Sequence, residues 1–343
     1  MGFLSVNRVK LLFIPGLEVE FVNRDRGIKQ IIEWSERSTR FPIVVFGPEG
    51  CGKTAWLKQA ALVLRDLGFE TIYVDPLRRD YISYTSVRDI VKKFAETVIE
   101  TIGIAEFKLA TLAVDVIKEL IGKWKKKKIA ILIDDVFQAI GLDKAEIYVK
   151  SLLGLIEYPP EVYENIVVIV TTSEGVSRWR IGRHRWADLM SMWNMSRESF
   201  RELYEQVCGR IPFKFSFEDI WRFTGGNPGI FAQLYQANWN INVVIEKFIK
   251  MKGLTRDFVK KWEFYLREVI EDPDVLWESS IPEEFKRELI EKNLIVYDMY
   301  SRDFTFWIDQ PPPERDLELG IGKHVAWQTP LYREVVKKAL IEL

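Results

Sequence analysis

Eight consecutive residues, Gly47-Pro48-Glu49-Gly50-Cys51-Gly52-Lys53-Thr54, match the phosphate-binding loop: a glycine, four open positions, then Gly-Lys-Thr. The chemistry of such a loop is phosphate capture. Its glycines let backbone N–H groups curl around phosphate oxygens, and a helix starting at its end adds the positive end of its dipole. Lys53 is expected on the β-phosphate of ATP or ADP and on the γ-phosphate of ATP, and the Thr54 hydroxyl on Mg²⁺. The candidate cradle is therefore Gly47, Pro48, Glu49, Gly50, Cys51, Gly52, Lys53, Thr54 and Ala55. Farther along the chain, the apolar run Ile129–Ile133 ends in Asp134-Asp135. A strand covered on both faces exposes carboxylates only where it emerges, at its carboxyl end. Asp134 is read as the partner of Mg²⁺ through water, and Asp135 as the base or positioning group for an attacking water. A third run, Ile166–Val170, ends in Thr171-Thr172-Ser173. Hydroxyls there can bond a γ-phosphate or the water, although β-prone residues capping a strand account for any one of them equally well.

These groups need a sheet to hold them. Pro42–Phe46 reads as a strand before the loop, and Ala55–Leu64 as a helix after it that ends near Gly68. Thr71–Asp75 supplies another strand and Leu189–Met192 a weaker fifth, so strands alternating with helices predict an α/β domain with a parallel sheet. The 343 residues suit two or three domains, and 48% hydrophobic with 29% charged residues excludes a disordered chain. A net charge of -1 excludes a global basic field for nucleic acid or membrane. Two cysteines, Cys51 and Cys208, give no disulfide framework, and two histidines, His184 and His324, no His-rich metal centre. No apolar stretch approaches a membrane span, and Arg8 and Lys10 interrupt the opening run too early for a signal peptide. The expectation is a cytoplasmic protein that does not engage a membrane.

Five features occur in order: Phe21-Val22-Asn23-Arg24-Asp25, the phosphate loop, Asp134-Asp135 with Gln138, the strand ending Thr171-Thr172, and Gly226-Asn227-Pro228. This order resembles the archaeal ATPases of the STAND class, signal-transduction ATPases related to AAA+ proteins, over roughly residues 15–240. The resemblance implies a P-loop NTPase core, with a sensor strand between the loop strand and the Walker B strand. Thr172 then lies between Lys53 and Asp134 and joins Lys53, Asp134 and Asp135 as a catalytic candidate. It also implies that Val22, Asn23 and Arg24 line an adenine pocket, against the alternative of a plain linker. Pro228, in the lid motif, is implied to pack on the base, so that lid position reports nucleotide state. Two departures stand out. Relatives often carry Asp-Glu where this chain has Asp134-Asp135, which predicts slow hydrolysis. Several carry an arginine where this chain has Ser173; the nearest arginines are Arg178 and Arg180.

Lys125–Lys128 reads as a solvated helix end. Ser177–Trp186 holds four arginines and two tryptophans, a composition that suits nucleic acid, a subunit contact, nucleotide sensing or a plain structural surface. From Thr255 to Leu343, 13 Lys plus Arg face 19 Asp plus Glu, a net of -6 that leaves +5 on the preceding 254 residues. There, an amphipathic helix over Pro282–Lys292 precedes two strand-like runs, Leu294–Tyr297 and Phe304–Ile308, read as a hairpin, and a final helix from Pro330. Helix plus wing suggests a winged helix, and its acidity favours a protein partner over DNA. Six tryptophans, Trp221, Trp239, Trp262, Trp277, Trp307 and Trp327, are expected in packing. The predicted division is an ATPase domain over 1–195, a helical lid over 196–254 and a winged-helix-like domain over 255–343. The predicted activity is Mg-dependent ATP binding and slow hydrolysis driving a conformational switch. The alternative is a DNA-binding AAA+-like motor or initiator, and the composition leaves oligomerisation open.

Overall fold

The computed structural model describes residues 6–78, 80–84, 128–159, 162–173, 175–210 and 215–342. Strands β1 (Lys10–Ile14) and β2 (Leu17–Glu20) open the chain, followed by α1 (Asp25–Arg37), β3 (Ile43–Phe46) and α2 (Lys53–Asp66). Then come β4 (Glu70–Asp75), β5 (Asp80–Tyr84), β6 (Lys128–Ile133), α3 (Val136–Ile140), α4 (Leu142–Glu157) and β7 (Asn165–Thr172). Helix α5 (Gly175–Ile181) and β8 (Asp188–Met192) lead to helices α6 (Arg197–Cys208), α7 (Phe217–Thr224), α8 (Pro228–Gln236), α9 (Ile241–Met251), α10 (Arg256–Glu271) and α11 (Glu283–Glu291). Short strands β9 (Ile295–Val296), β10 (Trp307–Ile308) and β11 (Ala326–Trp327) precede α12 (Pro330–Ile341). Contacts divide the chain into two compact units. One takes the described residues of Met1–Val9, Asp25–Phe46 and Lys53–Met190; the other takes Lys10–Arg24, Gly47–Gly52 and the described residues of Ser191–Leu343.

The first unit is built on the sheet order β8-β3-β7-β6-β4-β5. Strands β3, β7, β6 and β4 are parallel neighbours, and β5 closes the edge antiparallel to β4. Every residue of β3 and β4 is buried, as is β6 after Lys128 and β7 after Asn165, which is why the sequence shows unbroken Val/Ile runs. Strand β7 lies between β3 and β6, the order expected for the sensor strand. Phe137, Val149, Leu152 and Ile181 from α3, α4 and α5 pack with Val44, Ile131 and Val168 into one core. Helix α2 buries Trp56, Leu57, Ala60, Ala61 and Leu64 on one face, and Gly68 at φ 84 ends it in the left-handed turn only glycine adopts freely.

In the second unit, side-chain caps start the helices that follow β8. Ser196 accepts from Ser199 N, Ser216 and Asp219 form a capping box, and Asn227, Asn240 and Thr255 cap α8, α9 and α10. Phe200, Phe217, Trp221 and Phe231 interleave at centroid distances of 5.4–6.2 Å. The predicted hairpin is corrected here. Strand β9 pairs antiparallel with β11, while β10 adds in parallel to Ser191 and Met192 of β8. The cause is local: Phe304–Phe306 winds into a 3₁₀ turn capped by Asp303, so only Trp307 and Ile308 remain extended. Trp262, Trp307 and Trp327 are buried, as expected. Trp277 is not: it is 44% exposed and stacks on His324 at 4.6 Å. Lys125–Lys127 and the opening Met1–Ser5 lie outside the described residues. Among the described residues no helix is long and apolar enough to cross a membrane.

Candidate active site

The phosphate loop, Gly47–Gly52, belongs to the second unit, and partners from distant stretches of that unit fix its backbone. Gly50 and Gly52 take φ of 77° and 104°, curling the loop as a phosphate cradle requires. Asn227, fully buried, donates Nδ2 to Glu49 O at 2.8 Å and to Asn194 Oδ1 at 2.8 Å, while its Oδ1 caps α8 by accepting from Ile230 N at 3.0 Å. Gly229 N donates to Gly50 O at 3.1 Å. A Cβ at Gly229 would stand 2.8 Å from Gly50 Cα, so only glycine admits this approach. From the far end of the chain, Gln328 Oε1 accepts from Glu49 N at 2.9 Å, and Lys252 Nζ reaches Glu49 Oε2 at 3.3 Å.

The segment before α1 joins the same clamp. Asn23 and Arg24 both take left-handed backbone, φ 51 and 57, which turns the buried Arg24 side chain onto the loop. Its Nη2 donates to Cys51 O at 2.7 Å and to Trp193 O at 3.0 Å, and Nη1 lies 3.5 Å from Asp309 Oδ2. Asn23 Nδ2 donates to Glu202 Oε1 at 3.1 Å, and Val22 is half-buried beside it. Pro228, half-buried, is the first residue of α8, where its missing N–H costs nothing. Pro48 and Cys51 are buried, and Gly47 packs so closely that a Cβ would meet Met192 O at 2.0 Å.

The remaining candidates lie in the first unit. Lys53, Thr54 and Ala55 form the first turn of α2, with Lys53 buried and the other two half-buried. Asp134 follows β6 and is 0% exposed. A charge so buried must be hydrogen-bonded, and it is: Tyr73 OH donates to Oδ2 at 3.0 Å and Thr171 OH donates to Oδ1. Asp135, at φ 43, accepts on Oδ1 from Ser173 N at 3.1 Å and Ser173 Oγ at 2.8 Å. Burial raises the Asp135 pKa above the ordinary carboxylate value; the Lys53 charge opposes the rise and neighbouring Asp134 adds to it. Thr171 and Thr172 point to opposite faces of β7, as successive strand residues must. The Thr172 hydroxyl lies 3.3 Å from Ser177 Oγ, so Thr171 is the threonine that meets the Asp134 carboxylate.

Two residues escaped the sequence reading. Asp75 closes β4 as Asp134 follows β6, and its buried carboxyl is raised by burial above the usual value. The rule that singled out Asp134 would have found it. Arg78 is hydrogen-bonded to that carboxylate, and its Nη1 lies 3.4 Å from Thr54 Oγ1. The Arg/Trp segment divides between packing and surface. Arg178 is buried and lies over the Phe46 ring at 5.0 Å, and Trp186 stacks on His184 at 3.9 Å and packs on the core. Arg183 and Arg185 are exposed.

Within the first unit, the Lys53 ammonium group, the Thr54 hydroxyl and the buried carboxyls of Asp75 and Asp134 are anion-binding and hard-ligand groups; within the second, the curled glycine loop offers backbone N–H groups to an anion. The family described as an ATPase domain predominantly from Archaea matches residues 21–234. Among solved structures, AMPPCP-bound DnaA from Aquifex aeolicus is 16% identical, with 76% of this chain and 74% of that chain covered at a TM-score of 0.36. A RuvB mutant from Thermotoga maritima is 11% identical, covering 81% of this chain and 91% of that one at 0.37. PCH-2 from C. elegans is 17% identical over 56% and 47%, with a TM-score of 0.32. No curated protein matches the sequence.

Proposed function

The chain belongs to this family of ATPase domains found predominantly in Archaea, and on that premise we propose that it is a nucleotide-gated conformational switch that binds Mg·ATP and hydrolyses it slowly. The observation that carries the reading is the join between the loop and the lid turn. Asn227 and Gly229 hold the Glu49 and Gly50 carbonyls directly, so a loop that adjusts to phosphate moves the start of α8 with it. Gln328 and Lys252 extend the same grip to the C-terminal helices. In this reading residues 1–195 form the ATPase domain, 196–254 the lid and 255–343 a winged-helix-like domain. Support for the last is the order α11, β9, β11, α12 with β9 and β11 antiparallel. Its acidity favours a protein partner, and the two free cysteines suit the cytoplasm.

The roles follow from residue chemistry. Backbone N–H groups of Gly50 to Ala55 take the phosphates, Lys53 adds its charge, and Val22, Asn23, Arg24 and Pro228 border the nucleoside. Thr54 and Asp134 offer oxygen donors to Mg²⁺, which when bound would supply positive charge to the phosphate oxygens. The donor set fits such an ion. Among the described residues no group of three or more His, Cys, Asp or Glu could hold a metal without help. Mg²⁺ characteristically takes one or two carboxylates and completes its shell with phosphate and water. Asp135, oriented by Ser173, accepts a proton from water, and burial raises its basicity toward that task. Tyr73 and Thr171 keep the Asp134 carboxyl aimed by donating one hydrogen bond to each of its oxygens. Thr172 is the catalytic candidate on the opposite face of β7, its hydroxyl beside Ser177 Oγ.

The test is steady-state ATP hydrolysis with and without double-stranded DNA across a salt series, alongside Lys53→Ala. Slow turnover indifferent to DNA, abolished in Lys53→Ala with weakened nucleotide binding, is the expected result. Retention of both activities in that variant would sink the assignment. Turnover that rises with DNA at low salt would favour the second reading, a DNA-acting motor or initiator, for which exposed Arg183 and Arg185 are the supporting observation.

A further inference from the structure

We infer that Arg78 engages the terminal phosphate of ATP in this site, an inference that rests on the reading that Lys53 and Thr54 bind the nucleotide. Arg78 sits three residues beyond Asp75, which ends β4, and β4 is the parallel neighbour of β6. Its backbone N donates to Asp75 Oδ1 at 3.0 Å and its Nη1 to Asp75 Oδ2 at 3.2 Å. Asp75 is 2% exposed, whereas the Arg78 side chain is 61% exposed. A buried carboxylate thus holds both the backbone N and one guanidinium nitrogen, while most of the side chain stays exposed. From there Nη1 also lies 3.4 Å from Thr54 Oγ1.

The placement selects the ligand. Lys53 and Thr54 hold the phosphate end of a nucleotide, so a guanidinium touching the Thr54 hydroxyl is within reach of phosphate and not of ribose or base. Asp134 and Asp135 follow the carboxyl end of β6, the parallel neighbour of β4, so the register of the two strands brings Asp75 and Arg78 to the same edge of the sheet as these carboxylates. Among the described residues Nη1 donates to Asp75 Oδ2 and Thr54 Oγ1, and the planar fork also carries Nε and Nη2 donors with which to meet phosphate oxygens. Two other arginines lie against different groups. Arg178 is buried against Phe46, and Arg24 is spent on Cys51 O and Trp193 O.

The experiment compares full-length wild type, Arg78→Ala, Arg78→Lys and Lys53→Ala. Binding of fluorescent ADP and of a fluorescent non-hydrolysable ATP analogue is measured with Mg²⁺ present, together with turnover. With a charge-assisted hydrogen bond worth ~1.5–3 kcal/mol, Arg78→Ala should weaken the triphosphate analogue by about 10- to 100-fold. ADP affinity should stay within about threefold, because the missing contact is to the phosphate ADP lacks. Turnover should fall by at least about 100-fold, and Arg78→Lys should restore only part of both losses. The exposed side chain makes misfolding of these variants easy to exclude by circular dichroism. Equal losses for ADP and the analogue, or no loss for either, would overturn the role of Arg78 while leaving the nucleotide site intact. Wild type that binds neither nucleotide, or Lys53→Ala that binds both normally, would instead overturn the underlying reading and this one with it.

Discussion

Replacing Asn227 by alanine removes three hydrogen bonds from a side chain with no exposure. Loss of the cap on α8 costs about 1 kcal/mol. The two bonds from Nδ2 differ in consequence. Glu49 is itself exposed, so water can replace the lost donor at its carbonyl. Asn194 is 5% exposed, and its Oδ1 would be left unsatisfied at a cost of about 1–3 kcal/mol. The expected destabilisation is therefore about 2–4 kcal/mol, measured by urea unfolding followed through tryptophan fluorescence. Asn227→Asp separates the contributions. It keeps the shape and the capping oxygen but sets an acceptor against the Glu49 and Asn194 acceptors. At neutral pH it should lose at least as much stability as the alanine variant. Burial raises the folded pKa of such a carboxyl above its unfolded value of about 3.9. The penalty is then absent below the unfolded value, grows as pH rises toward the folded one, and is constant beyond it. An alanine variant within about 0.5 kcal/mol of wild type, or an aspartate variant as stable as wild type at pH 7, would refute the clamp.

Tyr73→Phe and Thr171→Val each strip one donor from the buried Asp134 carboxylate, an unpaired charged acceptor worth about 1–3 kcal/mol. Each should lower turnover about tenfold or more, and the double variant should depart from additivity because both donors serve one carboxylate; independent, fully additive effects would count against a shared role. Burial pushes the Cys208 thiol up to about 11, and Cys51 is fully buried. At pH 8 only about one Cys208 in a thousand is thiolate, so a disulfide reagent should label neither cysteine of the folded protein at a free-thiol rate. Labelling should quicken as pH approaches the raised value; rapid labelling at pH 8 would contradict the packing around α6 and the loop.

How much of this was legible depends on how local the signal is. The phosphate loop is eight contiguous residues, and β3, β6 and β7 are unbroken apolar runs because both of their faces are covered. Asp134 and Asp135 could be read from their position at the end of such a run. The clamp could not. Asn227 lies 178 residues from Glu49 and Gln328 lies 279 away, and no period or spacing links residues that far apart. The choice between Thr171 and Thr172 turned on which face of β7 each occupies, which depends on register rather than residue type. Trp307 and Ile308 are too short a run for alternation to name their partner, hence the hairpin that the fold resolves into two sheets. The Arg/Trp segment shows the same limit: composition suggested one surface, whereas Arg178 and Trp186 are packed and Arg183 and Arg185 are not.

The Gln328 contact has a consequence for biosynthesis. Glu49 emerges from the ribosome 279 residues ahead of the side chain that receives its amide proton. At about 5–20 residues per second that interval is on the order of tens of seconds. Throughout it the glycine loop exists as chemistry without its full scaffold: strands β3 to β7 can pair, but the backbone they present still lacks the partner contributed near the end of translation. Until that segment is made, the Glu49 amide lacks the acceptor that holds it in the finished fold.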